Sequence, residues 1–240
     1  FISTLKLIKE DDKMWNKLRN EPVNKTGYIK RIIAYGIDWY LGSVLSSLPL
    51  ILLYMSLHKD AVYIPQQLSI FKGYYQVIAG VLSLSVAFVY YVVLPIIWKG
   101  QTLGKKLLGL KIVNDDYQEV NVKQLIIRQV IMIFLVEGSI YTCSNMFHQL
   151  VNVLTGYNIA SIWNKVGLVI TILSGILVII LKSKKSLHDI VSHTLVVDIK
   201  SEDYKNMLLS IEKKNKKQIK KMKKRVTYHI QVLGGIILMV

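Results

Sequence analysis

The chain is nearly without cysteine, and its acidic residues are half as frequent as its basic ones. Its one cysteine, Cys143, lies inside an apolar block, which excludes an intrachain disulfide and a metal site built on cysteines. Residues 1–26 are polar and mixed in charge and lack the basic stretch and apolar core of a secretory signal. We therefore expect the first apolar block to be retained. Because the sequence begins without Met, we also expect the native chain to start before Phe1.

The motifs of common catalytic and cofactor sites are also missing. No nucleophile motif, phosphate-binding glycine loop or HExxH zinc motif occurs, so neither an enzymatic activity nor a cofactor is predicted. His188, Asp189 and His193 invite a metal-site interpretation. The two histidines are five residues apart and do not share a helical face, and no third ligand is evident. We therefore predict no metal site.

Long apolar runs, in contrast, are abundant. Apolar residues make up 52% of the 240 residues and charged residues 19%, against about a quarter charged in soluble domains. The apolar residues form four blocks, each close to the roughly 20 residues that cross a bilayer core. The blocks cover about 28–57, 73–98, 124–147 and 160–181. The sequence therefore predicts an all-α membrane protein with a bundle of four transmembrane helices.

Basic residues flank these blocks and alternate between the connections. The formal net charge of +16 would suggest nucleic acid in a soluble protein, but here an anionic membrane surface is the simpler partner. The chain has eight Lys and Arg residues up to Arg31. The three connections between the blocks have two, five and none, in chain order. The segment from Lys182 to Arg225 has fourteen. Because basic residues stay on the cytoplasmic side, we predict a multi-pass protein of the cell membrane with a cytoplasmic amino terminus and with residues 148–160 outside.

The cytoplasmic segments carry further patterns. Leu108–Val113 alternates and is followed by a turn-forming Asn-Asp-Asp, which predicts a short β-hairpin-like connection, and the similar segment Thr194–Ile199 could pair with it. Residues 200–225 have the period of a basic amphipathic helix. We interpret its basic run as a patch for anionic lipids, formed by Lys213, Lys214, Lys216, Lys217, Lys220, Lys221, Lys223, Lys224 and Arg225. Residues 226–240 are apolar but too short to span, so they form a partial fifth span or lie in the interface. We therefore divide the chain into a polar amino-terminal segment (1–26), a four-helix transmembrane domain (27–199), a basic amphipathic helix (200–225) and an apolar segment (226–240).

Charged residues within the blocks are the candidate functional residues, because one such charge costs roughly 2.5 to 3.5 kcal/mol at mid-helix. Asp38 lies about 10 Å deeper than Arg31, which can reach lipid phosphates by snorkelling. Side chains on a helix lean toward its amino terminus, so Arg31 leans away from Asp38, and we predict Arg128 as the partner of Asp38. Glu137 and Lys165 fall at similar depths in the bilayer when the rise per residue is counted along their helices, so we predict that they form a second pair.

Two interpretations of these charges stay open. In the first, the pairs are neutralised packing contacts that fix the register of the helices. In the second, they form an ion or proton path in which a carboxylate such as Asp38 changes its protonation as a cation binds.

Three segments resemble the RDD family of small bacterial membrane proteins, which is named for one arginine and two aspartates. The segments are Gly27–Asp38, Gly100–Val113 and Ser186–Val197, in the family's order and spacing. The resemblance assigns the family's charged positions to Arg31, Asp38 and Asp189, whereas Arg128, Glu137 and Lys165 have no counterpart in it. It implies transport of unknown ligands, with cation/proton antiport proposed for some members and association with other membrane proteins for others.

The leading functional prediction is membrane transport, by cation/proton exchange or movement of a small solute, through Asp38. The alternative is an accessory or regulatory subunit that binds another membrane protein, and a homo-oligomer is also compatible with the sequence. We further expect Asp189 to lie at the cytoplasmic interface and to contact Arg31 or the basic connection 99–111. A turn aspartate that bonds only to local backbone is the alternative for Asp189.

Overall fold

The computed structural model describes residues 16, 18, 19, 21, 23–59, 67–137 and 142–237. It is mostly helical, with one small two-stranded sheet, in agreement with the predicted all-α membrane class. The chain divides into two compact units, Phe1–Asp198 and Ile199–Val240, which are described separately below.

Two long apolar helices begin the first unit. Helix α1 runs from Tyr28 to Leu57, and helix α2 runs over Tyr75–Ile97 with one π-helical turn at Val89–Val93. Each is long and apolar enough to cross a membrane.

Helices α1 and α2 pack through small side chains. Helix α1 buries every fourth residue, namely Ala34, Asp38, Gly42, Ser46 and Leu50. The hydroxyl of Ser83 on α2 donates to the carbonyl of Ser46 at 2.6 Å. Small residues permit this close approach, and it places Asp38 on the inner face of α1.

A short connection follows α2. It contains the five-residue helix α3, Leu103–Leu107, and strand β1, Leu110–Asn114. The chain then turns and enters helix α4, Val122–Glu137, through a capping box formed by Asn121 and Gln124.

The third apolar block is a bent pair of helices. Helix α4 is π-helical from Ile127 to Glu137, and its axis makes an angle of 64° with that of helix α5, Thr142–Thr155. The described residues thus contain three helices that are long and apolar enough to cross a membrane, or four if this pair forms one span. Helix α5 also occupies much of the predicted outer segment 148–160, because the chain stays helical through Thr155.

Helix α6, Ile159–Ile180, returns across the bundle and is followed by helix α7, Leu187–Val191, and strand β2, Thr194–Asp198. Strand β2 pairs antiparallel with β1, from Leu110 opposite Asp198 to Asn114 opposite Thr194. The predicted pairing of these segments is confirmed. The local hairpin is reduced to one bridge between Val113 and Glu119, because the chain leaves at Asn121 to begin α4.

The sheet lies at one end of the bundle, which we call the sheet end. Apolar side chains of both strands pack against α1 and α4 there, in a buried cluster of Ala34, Leu110, Ile112, Leu125 and Val196. The start of α1, the end of α6 and both strands meet at this end, since Asn24 N–H donates to the carbonyl of Lys182 and the Asn24 side chain to that of Val196, both at 2.9 Å.

The second unit contains helix α8, which runs over Glu202–Ile237 without a break. The basic segment 200–225 and the start of the apolar segment 226–240 therefore belong to one helix. Helix α8 is not among the candidate membrane spans of the described chain.

Candidate functional site

The carboxylate of Asp38 is buried between α1, α2 and α3. Tyr90 O–H donates to its Oδ1 at 3.0 Å, and the backbone N–H of Gly104 donates to the same oxygen at 2.8 Å. Thr102 O–H at 2.5 Å and Lys105 Nζ at 3.1 Å donate to Oδ2. Four donors use the acceptor capacity of a carboxylate, so Asp38 joins the connection after α2 to the middle of α1.

Glycine is required at position 104 for this contact. A Cβ there would lie 2.4 Å from the carbonyl oxygen of Ala34 and 3.0 Å from the carboxyl carbon of Asp38. The segment Gly-Gln-Thr-Leu-Gly-Lys-Lys at 100–106 thus supplies a hydroxyl, a bare amide and an ammonium group at the spacing of one helical turn.

Gly104→Ala is expected to lower the free energy of unfolding by about 1–3 kcal/mol, because the backbone at Ala34 or at position 104 would have to move. Gly36→Ala is the matched control, since a Cβ there meets nothing within 4 Å. Thermal unfolding of both variants in detergent checks the prediction. Equal midpoints for the two variants would contradict it.

The predicted orientation of Asp38 toward the bundle is confirmed, but its predicted partner is wrong. The nearby cation is Lys105 from α3 and not Arg128. The depths of charged residues within the spans do not indicate Lys105, because this residue belongs to a connection that folds back against α1.

Asp189 is the centre of a second buried charge cluster. Arg31 Nη2 donates to Oδ2 at 3.0 Å, and Arg128 Nη1 donates to Oδ1. Ser186 donates to Oδ2 through its backbone N–H at 3.0 Å and its hydroxyl at 2.6 Å. Arg128 also donates to the hydroxyl of Thr194 at 2.8 Å. The cluster joins α1, α4, α7 and β2 at the sheet end.

Burial alone would raise the pKa of Asp189, but Arg128, His188 and Arg31 hold it well below the ordinary value. The predicted contact between Arg31 and Asp189 is confirmed. The alternative, in which Asp189 bonds only to local backbone, is wrong, although the same carboxylate also forms a capping box with Ser186 at the start of α7.

Glu137, at the end of α4, is a further buried carboxylate and is 5% exposed. Its Oε2 lies 2.7 Å from Nδ1 of His188, and its Oε1 accepts from the hydroxyl of Ser174 at 3.2 Å. The hydroxyl of Thr171 donates to its backbone carbonyl. Glu137 therefore connects the broken span to α6 and to the segment after α6.

The predicted pair of Glu137 with Lys165 is wrong. Lys165 is exposed on α6, nine residues before Ser174, or about 13 Å along the helix. Because a π-helix has more residues per turn than an α-helix, a count of 1.5 Å per residue overestimates the depth of Glu137.

A polar layer at the sheet end surrounds these sites. Lys185 is 4% exposed and lies 2.6 Å from Glu21 and 2.8 Å from Asp115. Burial lowers the pKa of Lys185, but the two carboxylates outweigh it and raise the pKa above the ordinary value. Within the described residues, no three His, Cys, Asp or Glu side chains are arranged to hold a metal ion.

Comparison with known proteins gives one match. The model of the RDD family covers residues 26–193, which is more than half of the chain and includes Asp38, Glu137 and Asp189. No curated protein and no solved structure matches the chain. Together with its apolar helices, this match shows that the chain is an integral membrane protein belonging to the RDD family.

Proposed function

We propose that the protein exchanges protons for a small cation across the membrane, and that Glu137 with His188 is the protonation site. The observation that carries the proposal is a buried carboxylate at the break of a membrane helix, 2.7 Å from an imidazole. Carboxylates inside membrane bundles are costly, and they recur in the proton relays of transporters. An imidazole and a carboxylate in hydrogen-bond contact can pass a proton between them.

The surroundings of Asp38 and Asp189 favour a structural role. Asp189 lies between two arginines, which stay charged at every physiological pH. Asp38 has four donors, one of which is a lysine, so the predicted transport role of Asp38 is less favoured than that of Glu137. The side-chain partners of Glu137 in the described chain are a hydroxyl and an imidazole, and neither is a lysine or an arginine.

The bent pair of α4 and α5 supports the same assignment. Transporters commonly place their ion sites where a membrane helix is interrupted, since the interruption frees backbone groups near the site. Stretches of π-helix inside α-helices are also frequent at functional sites, and here one ends at Glu137.

His148 offers a step between Glu137 and the far end of the bundle. It is 4% exposed on α5, and its Nδ1 has no hydrogen-bond partner in the part of the chain that the structure describes. Its ring lies 5.9 Å from that of Trp163, whose indole N–H donates to the carbonyl of Leu135 at 2.6 Å. Because Leu135 is two residues before Glu137, Trp163 connects His148 to the neighbourhood of Glu137.

In the proposed cycle, a proton and a cation compete for one carboxylate. A proton moves from Nδ1 of imidazolium His188 to Oε2 of Glu137, which leaves a neutral imidazole and a neutral carboxylic acid. A neutral Glu137 no longer attracts a cation, so the cation leaves. Loss of the proton to the other side restores the negative charge for the next cation.

The test is exchange by the purified protein in liposomes that contain a pH-sensitive dye. A sodium or potassium gradient should change the internal pH at a rate above that of empty liposomes, with no other protein present. An unchanged internal pH with both cations would contradict exchange and leave the accessory-subunit alternative.

We also propose that the sheet end faces the cytoplasm of a cell membrane, because the basic connections lie at that end. Tyr157 is 74% exposed in the connection between α5 and α6, and the single native cysteine is buried. Tyr157→Cys should therefore react with an impermeant thiol reagent on intact cells. Reaction only after lysis would reverse the orientation, and the unsubstituted chain provides the labelling blank.

A further inference from the structure

We propose that α8 lies along the surface of an anionic bilayer, with one apolar stripe in contact with the lipid. The first observation is the exposure of large apolar side chains along this helix. Leu208 is 40% exposed, Ile219 50%, Met222 61% and Val226 57%. Contiguous exposed apolar surface of this kind marks an interaction face.

The apolar positions follow an 11-residue period. Spacings of four, three and four residues repeat along the stripe, which consists of Tyr204, Leu208, Ile211, Asn215, Ile219, Met222 and Val226. Eleven residues make three helical turns with a drift of only about 20°, so the stripe stays on one face for about 33 Å. A straight stripe of this length fits a flat surface.

The basic residues are placed around this stripe in the manner of an interfacial helix. At about 100° per residue, Lys213, Lys217 and Lys220 lie opposite the stripe, whereas Lys216 and Lys221 lie on its two flanks. Flanking lysines can reach lipid phosphates while their stems cover apolar surface. Interfacial helices combine such an apolar face with a basic polar face.

Charge distinguishes the bilayer from the other occupants of the stripe. Residues 202–226 contain ten basic and three acidic residues. A second copy of α8 would bring two sets of flanking lysines together, and like charges repel. Single-stranded nucleic acid would use aromatic stacking platforms, but the stripe is aliphatic apart from Tyr204 and Asn215. An anionic bilayer satisfies the apolar stripe and the lysines together.

The test uses the full chain in nanodiscs, with spin labels at single introduced cysteines. Ile219→Cys and Met222→Cys report on the stripe, and Lys217→Cys and Lys220→Cys are the matched positions on the opposite face. The unsubstituted chain, whose only cysteine is buried, is the labelling blank. Each label is measured in discs of phosphatidylcholine alone and in discs that also contain phosphatidylglycerol.

In the anionic discs, the labels on the stripe should become several-fold more accessible to oxygen and several-fold less accessible to a water-soluble nickel reagent. The labels on the opposite face should show neither change. A variant with Lys214→Gln, Lys216→Gln and Lys221→Gln, which removes charges on the flanks of the stripe, should lose this difference. Equal accessibility on the two faces, equal protection of the stripe in both discs, or spin–spin broadening between stripe labels would each overturn the proposal. None of these outcomes depends on whether the protein exchanges ions.

Discussion

Glu137→Gln is expected to lower the rate of cation-driven proton movement in liposomes at least about tenfold. The protein should stay folded. Glutamine has the shape of glutamate and retains an oxygen for the hydroxyl of Ser174, 3.2 Å away in the native chain. It cannot carry the negative charge that the proposed cycle requires. The rate of internal pH change after a cation gradient is imposed provides the measurement.

Lys165→Gln is the matched control for Glu137→Gln, because Lys165 is another charged residue of a membrane helix but is exposed. It should keep the native exchange rate. Unfolding temperatures of both variants must stay close to the native value, so that lost exchange is not lost folding. A fully active Glu137→Gln protein would contradict the assignment of the site.

Asp189→Asn is expected to have the largest effect on folding. It removes the one carboxylate between Arg31 and Arg128, and breaking a buried ion pair in this way costs about 3–5 kcal/mol. We expect little folded protein after extraction in detergent, measured as the monodisperse fraction by size-exclusion chromatography. Asp116→Asn, at an exposed position, is the control and should be neutral. Equal yields from the two variants would contradict the role of the cluster.

The structure also predicts that exchanging the charges will fail. In the double variant Arg31→Asp with Asp189→Arg, the new arginine would face Arg128 and would lose the capping contacts with Ser186. The double variant should therefore fold no better than either single change. Rescue by the exchange would show that Arg128 is not part of the cluster.

The pH dependence of the native cluster follows from the lowered pKa of Asp189. A carboxyl with a lowered pKa contributes stability above its unfolded-state pKa of about 3.9. That contribution disappears only as the pH falls through the still lower folded-state pKa. Moderate acidification should therefore leave the cluster in place.

The apolar blocks and the contact of Arg31 with Asp189 could be predicted because both depend on features that are regular along one helix. Block length determines which segments can cross a bilayer, and the lean of side chains toward the helix amino terminus directs Arg31 to the interface. The pairing of β1 with β2 was likewise visible as two similar alternations far apart in the chain.

The partners of Asp38 and Glu137 could not be predicted from depth alone. Lys105 and His188 lie outside the apolar blocks and reach the bundle only because their connections fold back onto it. The π-helical geometry of α4 also changes which of its residues lie at the same depth as residues of the neighbouring helices. The hydrophobic pattern of the sequence does not indicate a π-helix. Donors from loops are therefore the partners that counting along helices misses.

The most direct test of the central claim is the infrared difference spectrum of the reconstituted protein between about pH 8 and about pH 5, a range that brackets histidine titration. A carboxyl group that takes up a proton gives a new carbonyl band of a neutral acid. The account predicts such a band in the native protein and in Asp38→Asn, and its absence in Glu137→Gln. A band that persists in Glu137→Gln and disappears in Asp38→Asn would contradict the account and make Asp38 the protonated group.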